Sequence, residues 1–422
     1  MIGMKTNTGI VRLTIALWAM VMTALSPVVA AEGDGNGTNG EKAMGAETFS
    51  VTTLNVDGMP ARILFFNANS DGPSSTYTPA ISEYLANQGS DFIGVQENFN
   101  YNSELDSHLA DQYDYDEWSG GIITSKGSLN ILNIKFSCDG LKSYWKHGIK
   151  LEGYERVAWD AGYGKFDHAW DTFVTKGFRR YELQLESGTQ LVVYNMHMDA
   201  SDMQSDESDQ PDREARVVQW RQLRTHILDH LDNRPIIVMG DLNSYYGRDP
   251  VKQLFIDSIK ATGLATVSDV WIELMDGNDY PELRDDWTRA PGEEGDKILY
   301  INPTNANVRL VPVTMTIDTE NYNRPDGRRY GDHPPLLATF TIERLNGTLP
   351  GDVNADGAVN VGDIMAVVNV MAGQMAGIDK NVADVNADGA VNTGDIMAII
   401  NLMTDVRLKT KNKIIIKAAA KR

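Results

Sequence analysis

Residues 236–244 read IIVMGDLNS, a stretch that joins an apolar run to an abrupt polar end. Its first four residues form a continuous apolar run, as in strands that are buried on both faces. The run stops at Gly240, and polar side chains follow it at once: Asp241, Asn243 and Ser244. In layered α/β proteins, ligands bind beyond the carboxyl ends of such strands. The stretch therefore predicts a buried strand with candidate functional residues at its end.

Five further polar clusters lie next to predicted strands. They are LNVDG at 54–58, VQEN at 95–98, NMHMDA at 195–200, GDKIL at 295–299 and GDHPP at 331–335. Because Mg²⁺ and Mn²⁺ prefer oxygen ligands, four side chains of these clusters are candidate metal ligands: Asn55, Asp57, Glu97 and Asp332. The two histidines of the clusters have no thiol beside them and no His-x-x-x-His spacing, which disfavours a closed zinc site there.

The same clusters hold side chains that can move protons and bind an anionic oxygen. His333 can act as a general base on water if a second carboxylate orients its ring. His197 and Asn243 can donate hydrogen bonds to an oxyanion. Such a set fits hydrolysis of a phosphate ester, in which catalysis is mostly positioning and charge neutralisation. Three other histidines lack such surroundings and are interpreted as surface or core residues: His147, His168 and His226.

Short β-rich runs alternate with amphipathic helical stretches through the large central region. The runs predict strands at Ser50–Asn55, Arg62–Asn67, Phe92–Gln96, Gly121–Ser125, Arg179–Leu185, Gln190–His197, Ile236–Met239, Lys297–Asn302, Val308–Ile317 and Leu336–Ile342. Helices are predicted at Thr78–Gln88 and Asp212–Leu231, where apolar residues recur at helical spacing. Many strands, several helices and no short repeat predict a large layered α/β domain.

Charge and cysteine content limit the classes of function. The 422 residues include 38 Lys and Arg against 58 Asp and Glu, a net charge of −20. Residues 1–45 and 346–422 each carry equal numbers of acidic and basic side chains, so the net charge lies between them. This distribution argues against a protein built mainly to hold the nucleic-acid backbone. The single cysteine, Cys138, excludes an intramolecular disulfide and is interpreted as a buried apolar residue.

The amino-terminal residues have the features of a secretory signal peptide. Basic residues precede an apolar run at 13–25, and small residues follow at 28–31. The run is too short to span a bilayer comfortably, and no cysteine follows it for lipid attachment. We predict a signal peptide at 1–30 and a flexible leader at 31–46. The product is then extracytoplasmic (secreted, cell-surface or periplasmic), with no transmembrane segment after cleavage.

The carboxyl-terminal region contains an internal duplication. GDVNADGAVNVGDIMAVVNVMAG at 351–373 is repeated as ADVNADGAVNTGDIMAIINLMT at 383–404. In each loop, alternate residues offer oxygen atoms, and a glycine after the third allows the sharp turn that a Ca²⁺ loop needs. The predicted ligands, with the alanines contributing backbone carbonyls, are Asp352, Asn354, Asp356, Ala358, Asn360, Asp363, Asp384, Asn386, Asp388, Ala390, Asn392 and Asp395.

One amphipathic helix follows each loop, and this repeated loop-helix unit resembles the dockerin type I module. The resemblance covers residues 351–404 and implies two structural Ca²⁺ ions and a cohesin-like partner on a scaffold or cell surface. Dockerins usually carry hydroxyl residues at the two positions before the last ligand, where this chain has Val361-Gly362 and Thr393-Gly394. A calcium-stabilised cap without a partner is the alternative interpretation.

Taken in order, the polar clusters of the large region resemble the endonuclease/exonuclease/phosphatase superfamily. Six motifs, from LNVDG to GDHPP, occur in the order of that family over about residues 49–343. The resemblance implies an α/β fold, a four-layered α/β sandwich of two packed mixed β-sheets flanked by helices, followed by a small all-α calcium-loop domain. The expected boundaries are 47–345 for the catalytic domain, 346–350 for a linker, 351–404 for the dockerin-like module and 405–422 for a basic tail.

The same resemblance implies the metal ligands. Glu97 and Asn55 would hold the catalytic Mg²⁺ or Mn²⁺, with Asp332 and Asp57 nearby.

It also implies the catalytic roles. His333 would be the base or the transition-state partner, oriented by Asp296. His197 and Asn243 would bind the scissile phosphate, and Asp241 would position or deprotonate the attacking water. Whether Asp241 or His333 is the general base stays open.

Departures from particular subfamilies narrow the substrate. Abasic-site endonucleases normally show Tyr-x-x-Asn where this chain has Tyr194-Asn-Met-His197. A histidine there resembles deoxyribonucleases, bacterial sphingomyelinases and inositol polyphosphate phosphatases, and Lys176-Gly177-Phe178 looks closest to the sphingomyelinase-like and phosphatase branch. The leading interpretation is an exported metal-dependent phosphoric ester hydrolase acting on a lipid headgroup or small organic phosphate. The alternatives are an exported DNase-like endonuclease, since nucleic acid is disfavoured but not excluded, and a catalytically silent binding protein.

An aromatic-rich and Gly-rich stretch at 139–175 has two interpretations. It either forms a substrate rim or lipid-facing loop, or it packs as an insertion. Five cations in and after it either supply local positive charge to an anionic substrate or are solvated: Lys142, Lys146, Lys176, Arg179 and Arg180.

Overall fold

The protein is built on two six-stranded mixed β-sheets whose apolar faces pack together. The computed structural model describes residues 47–63, 66–67, 69–119, 129–130, 135–163, 171, 174–200, 206–277, 279–284, 289–345, 351–355, 358–374, 378, 380–386 and 388–403. The predicted signal peptide, leader, linker and basic tail lie outside the described residues, as do the predicted strand Gly121–Ser125 and the predicted calcium ligand Asp356.

Sixteen strands are present in the described residues. They are β1 Glu47–Asn55, β2 Arg62–Ile63, β3 Phe66–Asn67, β4 Phe92–Gln96, β5 Tyr113–Tyr115, β6 Leu129–Asn130, β7 Lys135–Phe136, β8 Lys142–Lys146, β9 Lys150–Ala158, β10 Gly177–Gln184, β11 Gln190–His197, β12 Ile236–Asp241, β13 Ala265–Asp269, β14 Asp296–Pro303, β15 Val308–Ile317 and β16 Leu336–Arg344.

The two large sheets share one plan. The first has the order β15-β16-β1-β4-β8-β5, and the second has the order β13-β14-β12-β11-β10-β9. Near the middle of each lies one parallel pair, β1 with β4 and β11 with β12, and the other neighbours are antiparallel. Two short hairpins, β2-β3 and β6-β7, lie apart from these sheets. Each sheet therefore has parallel carboxyl ends at which polar side chains can converge.

Alternation along the strands sorts the side chains into three apolar layers. In β11, Leu191 and Val193 face the opposite sheet, whereas Val192 and Tyr194 face the outside of their own sheet. Successive strand side chains point to opposite faces, so both faces of this sheet are buried. Trp220 and neighbouring helical residues cover the outer face, and a second helix covers the outer face of the other sheet. The result is helix, sheet, sheet and helix in sequence.

The helices have the following bounds: Ser74–Gln88, Asn102–Asp106, Asp206–Asp229, the π-helical Lys252–Asp257 continued by Ser258–Lys260, Val270–Leu274, Val361–Met371, Lys380–Ala383 and residues 393–403. None of the helices within the described ranges is long and apolar enough to cross a bilayer.

The predicted four-layered sandwich is confirmed. Two details of the prediction were wrong or incomplete. Arg62–Asn67 was predicted as one strand, but it carries the two short strands of a hairpin. Four strands of the large sheets were missed altogether: β5, β8, β9 and β13. All four carry charged residues, and none shows a long apolar run.

The stretch at 139–175 supports the packing interpretation wherever it is described. Strands β8 and β9 lie within it, and Tyr144, Trp145 and Trp159 are buried. Tyr154 is half-exposed, but its ring packs 5.5 Å from that of Tyr181. These aromatic residues therefore belong to the sheets and not to a lipid-facing loop.

The cations near this stretch are mostly buried in ion pairs. Arg179 is buried; its Nε and Nη2 donate to both oxygens of Asp139 at 3.0 and 2.8 Å, and its Nη1 donates to Asp116 at 2.6 Å. Lys142 is buried against Asp106 at 2.6 Å. A buried charge is tolerated when it is paired and hydrogen-bonded in this way. These side chains hold the fold together and are not solvated.

We expect Arg179→Leu to destabilise the domain by about 3–5 kcal/mol, because it leaves two buried carboxylates without their cation. The matched control is Arg309→Leu, which removes an exposed pair with Glu343 and should cost at most about 1 kcal/mol. Urea unfolding followed by circular dichroism measures both variants. Equal midpoints for the two would contradict the structural role of Arg179.

Candidate active site

Three neighbouring strands each place a polar residue at the same edge of their sheet. In the pairing register, His197 of β11 lies opposite Asp241 of β12, and Asp241 lies opposite Asp296 of β14. Each continues the row that faces the other sheet, since Val193, Met239 and Ile298 of the same rows are in the core between the sheets. Along each of these strands, the side chains that face the other sheet are therefore apolar in the interior and polar at this edge.

The other sheet brings two further side chains to the same place. Asn55 is the last residue of β1, and Glu97 directly follows the parallel strand β4. The Asn55 Nδ2 donates to Glu97 Oε1 at 3.0 Å and to Asp241 Oδ2 at 3.0 Å. The second of these bonds joins the two sheets at the site.

Three site residues lie in sharp left-handed turns. Asp57, Glu97 and Asn243 have φ values of 50°, 57° and 48°, directly after their strands. A left-handed conformation is uncommon for residues other than Gly, and such residues cluster at functional sites. At Gly58, an added Cβ would lie 2.5 Å from the Glu97 carbonyl oxygen, so only glycine allows these two turns to approach so closely.

His333 and Asp296 form a hydrogen-bonded pair. The His333 Nδ1 lies 2.6 Å from Asp296 Oδ2, which leaves Nε2 facing Asp241 Oδ2 at 3.8 Å and Asp332 Oδ1 at 3.9 Å. Burial of the ring opposes its charged form, but the carboxylates of Asp296 and Asp241 outweigh it and raise the pKa of His333 well above its usual value. Burial raises the pKa of Asp296 to about 6, against the opposing effect of the His333 charge.

Asp241 is the centre of the hydrogen-bond network. Its side chain is 2% exposed, and its oxygens accept from the Asn55 Nδ2 and from the Asn243 backbone amide at 3.1 Å. The His197 Nε2 lies 3.3 Å away. Burial alone would raise the pKa of this carboxyl, but His333, His197 and Asn55 together hold it below its usual range. Asp241 is therefore a stabilised carboxylate.

His197 and Asn243 flank this carboxylate. The His197 ring is 1% exposed; its Nε2 also lies 4.0 Å from Glu97 Oε1, and its Nδ1 has no hydrogen-bond partner among the described residues. Its backbone carbonyl accepts from Trp159 Nε1 at 2.7 Å, which fixes the end of β11. Asn243 donates from Nδ2 to the Met198 carbonyl at 3.4 Å.

The carboxylates beside Asn55 suit a hard divalent cation. Burial, together with the neighbouring carboxylates of Asp332 and Glu97, raises the pKa of Asp57 to about 8. A divalent cation relieves this kind of crowding between acidic groups. The Asn55 oxygen accepts from the Asp57 backbone amide at 2.9 Å, and its nitrogen faces Glu97, so its role as a metal ligand stays a prediction.

All nine predicted site residues thus lie at one edge of the two sheets, and the structure adds two neighbours. The Asn69 Nδ2 donates to the Asp57 backbone carbonyl at 3.0 Å and also contacts the Asp57 carboxylate. The buried Lys176 is ion-paired with Asp171, and its ammonium donates to the Met198 carbonyl at 3.2 Å. Lys176 was already a candidate cation, whereas Asn69 lies in a polar turn whose sequence gives no sign of this contact.

Comparisons with known proteins give one family match and several structural similarities. Residues 350–404 match the family model described as the dockerin type I domain, which confirms that resemblance for the carboxyl-terminal module. No curated protein matches the chain. The layered α/β fold of residues 47–345 is defined by the two sheets described above.

The chain is similar to several solved structures at low sequence identity. One is D. rerio TDP2 humanized by 14 mutations, with 17% identity, a TM-score of 0.47 and coverage of 69% of this chain and 98% of that chain. Another is an endonuclease/exonuclease/phosphatase family protein from Bacteroides thetaiotaomicron, with 15% identity, a TM-score of 0.47 and coverage of 71% and 100%. A third is SmcL, with 14% identity, a TM-score of 0.43 and coverage of 70% and 99%.

We predict that Asp57→Asn raises the melting temperature of the metal-free protein, because it removes one of three crowded acidic groups. A carboxyl whose pKa is raised on folding destabilises the fold above its unfolded pKa, so the gain should be larger at about pH 8 than at about pH 5. Differential scanning calorimetry in EDTA measures it. The exposed Asp111→Asn is the control, and a gain of the same size in that variant would contradict the crowding.

Proposed function

We propose that the chain is an exported, divalent-metal-dependent phosphoric ester hydrolase whose carboxyl-terminal dockerin module docks it onto a cohesin-like scaffold. The observation that carries the proposal is the pair of His333 and Asp296 at 2.6 Å, facing Asp241 beside an amide and several carboxylates. Phosphoester hydrolysis needs an oriented imidazole and oxygen ligands for a hard cation, close together on one small surface.

In this mechanism, Glu97, Asp57 and Asp332, with Asn55, would hold Mg²⁺ or Mn²⁺. When bound, the ion supplies positive charge to an oxygen of the phosphoryl group. Asn55 ends β1, Asp57 and Glu97 lie just after β1 and β4, and Asp332 lies just before β16. The chain thus holds its acidic groups in place before a substrate arrives.

The remaining site residues would handle the water and the phosphate. Asp296 holds the His333 ring so that Nε2 faces the site, and Asp241 lies 3.8 Å from that nitrogen. Asp241, or His333 in its neutral form, can take the proton of an attacking water. His197 Nε2 and the Asn243 amide would donate hydrogen bonds to phosphate oxygens, which stabilises charge in the transition state.

A lipid headgroup or a small organic phosphate is the favoured substrate class. The chain carries a net charge of −20, and the cations Arg179, Lys142 and Lys176 are buried in ion pairs. They are therefore not available to track a nucleic-acid backbone, which needs exposed Lys and Arg. A DNase-like endonuclease is the alternative that the test below separates.

The dockerin module is proposed to bind two Ca²⁺ ions. In the second loop, Asp384 accepts from the backbone amides of Asp388 and Gly389 at 3.0 and 2.8 Å, and Asn386 accepts from the Asp388 amide at 3.0 Å. The last ligand of each loop, Asp363 and Asp395, is fully buried. The contacts of Asp384 and Asn386 hold the second loop in a tight turn, as a calcium loop needs.

The two module helices support a protein partner. Val361, Met365 and Val368 are exposed at helical spacing on the first helix, and Met397 and Ile400 are exposed on the second. Exposed apolar stripes of this kind are typical of protein interfaces. We infer that these faces bind a cohesin-like partner outside the cell, consistent with the predicted signal peptide.

The catalytic proposal is tested with the purified chain and Mg²⁺ or Mn²⁺ on four substrates: p-nitrophenyl phosphate, bis-p-nitrophenyl phosphate, sphingomyelin vesicles and supercoiled plasmid. We expect ester or lipid hydrolysis that EDTA abolishes. His333→Ala should reduce kcat/KM by about 10²–10⁴-fold, because it removes the proton-transfer group. Glu97→Gln should reduce turnover and weaken its dependence on Mg²⁺.

The matched control is His108→Ala, which removes an exposed histidine outside the site and should keep wild-type turnover. Wild-type rates in His333→Ala would contradict the site assignment. Plasmid nicking far above ester and lipid turnover would favour the nuclease. No hydrolysis of any substrate would favour a silent binding domain.

For the module, we predict two Ca²⁺ ions per chain by isothermal titration calorimetry after EDTA treatment. Asp363→Ala should remove one of them, because it deletes the last ligand of the first loop. Asp326→Ala, which removes an exposed carboxylate from the large domain, is the control and should keep both. Wild-type stoichiometry in Asp363→Ala would contradict the predicted ligand set.

A further inference from the structure

A second cluster of metal-ligating side chains lies away from the candidate active site. It consists of Glu155 on the edge strand β9, His226 near the end of the helix Asp206–Asp229, and His230 just past that helix. One potential ligand atom from each residue lies within 4.8 Å of the other two. The two histidines have the i, i+4 spacing that places side chains on one helix face.

Hydrogen bonds already fix which ring nitrogens face the cluster. The His230 Nδ1 lies 2.8 Å from the His226 backbone carbonyl, so it must carry the proton and donate. This leaves the His230 Nε2 with its lone pair free for a metal. The His226 Nε2 lies 3.1 Å from Glu155 Oε2, and the two rings stack with centroids 4.2 Å apart.

A supporting shell holds the His226 ring. Its Nδ1 lies 3.2 Å from the Tyr194 hydroxyl, and the ring packs edge-on against Phe178 at 4.8 Å. Histidines that bind metals nearly always have their other ring nitrogen in such a hydrogen bond, which sets the tautomer and the orientation. Tyr194 faces the outside of its sheet, whereas His197 of the same strand faces the partner sheet. The cluster is therefore on the opposite face of the sheet from the catalytic residues.

We propose that Glu155, His226 and His230 form a Zn²⁺ site. Two imidazole nitrogens and one carboxylate are a ligand set that zinc accepts in tetrahedral geometry, with one position left for water or a further ligand. His226 is largely buried, whereas Glu155 and His230 are accessible from solvent, so an ion can enter from outside. The site would tie the edge strand β9 to the helix that covers the sheet.

The test uses the full chain with Mg²⁺ and Ca²⁺ in excess, so that the hard-cation sites are filled before Zn²⁺ is added. Calorimetric titration should give one Zn²⁺ equivalent in the wild type. His230→Ala and Glu155→Gln should lose this ion or bind it more than about 100-fold more weakly, since even changes to outer-shell residues lower metal affinity about 10–100-fold. Titration with Co²⁺ should give the visible absorption of a tetrahedral complex in the wild type alone. Zn²⁺ should raise the melting temperature of the wild type but not of His230→Ala.

The matched control is His147→Ala, which removes an exposed histidine near Asp114 and should bind Zn²⁺ as the wild type does. Phosphoester turnover with Mg²⁺ should be unchanged in His230→Ala, because the residue lies outside the candidate active site. Equal Zn²⁺ stoichiometry and affinity in the wild type, His230→Ala and Glu155→Gln would overturn the proposal and leave the cluster as a hydrogen-bonded ion pair.

Discussion

The buried carboxylate of Asp241 is the group on which the site depends. It accepts a hydrogen bond from Asn55 in the opposite sheet and another from the backbone of Asn243, and its oxygen lies near both His197 and His333. A buried charge is tolerated only when donors and cations surround it. The convergence of the motif residues is therefore a condition for keeping Asp241 ionised, as well as the basis of the proposed catalytic arrangement.

A layer of buried polar side chains lies between this carboxylate and the apolar core of the two sheets. Asn195 donates to the Lys142 backbone carbonyl and to Ser143 Oγ at 3.0 Å each, and its oxygen accepts from Gln96 at 2.7 Å. Every one of these groups is buried. Networks that are satisfied in this way rigidify a core. The row of candidate site residues therefore packs on a hydrogen-bonded layer, and this layer packs on the apolar core.

Sequence patterns predicted the central strands, and the convergence of the polar residues at their ends, better than they predicted the edge strands. Apolar runs such as 236–239 are unambiguous, and the polar residues that end them converge because strands alternate with period two. Edge strand β9 was missed, since KLEGYERVA mixes charged and apolar residues and pairs with β10 only in the folded chain. For the same reason His226 was interpreted as a surface or core residue: its partner Glu155 is 71 positions away. Long-range pairing of this kind is not encoded in local periodicity.

We propose that one divalent ion and one imidazole act on the same phosphorus atom. The most direct measurement is a crystal structure of the chain grown with Mn²⁺ and inorganic phosphate, with anomalous diffraction to locate the metal. We expect a Mn²⁺ peak at the Glu97 carboxylate and a phosphate oxygen within hydrogen-bond distance of the His333 Nε2. Mn²⁺ and phosphate bound only elsewhere, with no density between Glu97 and His333, would contradict it.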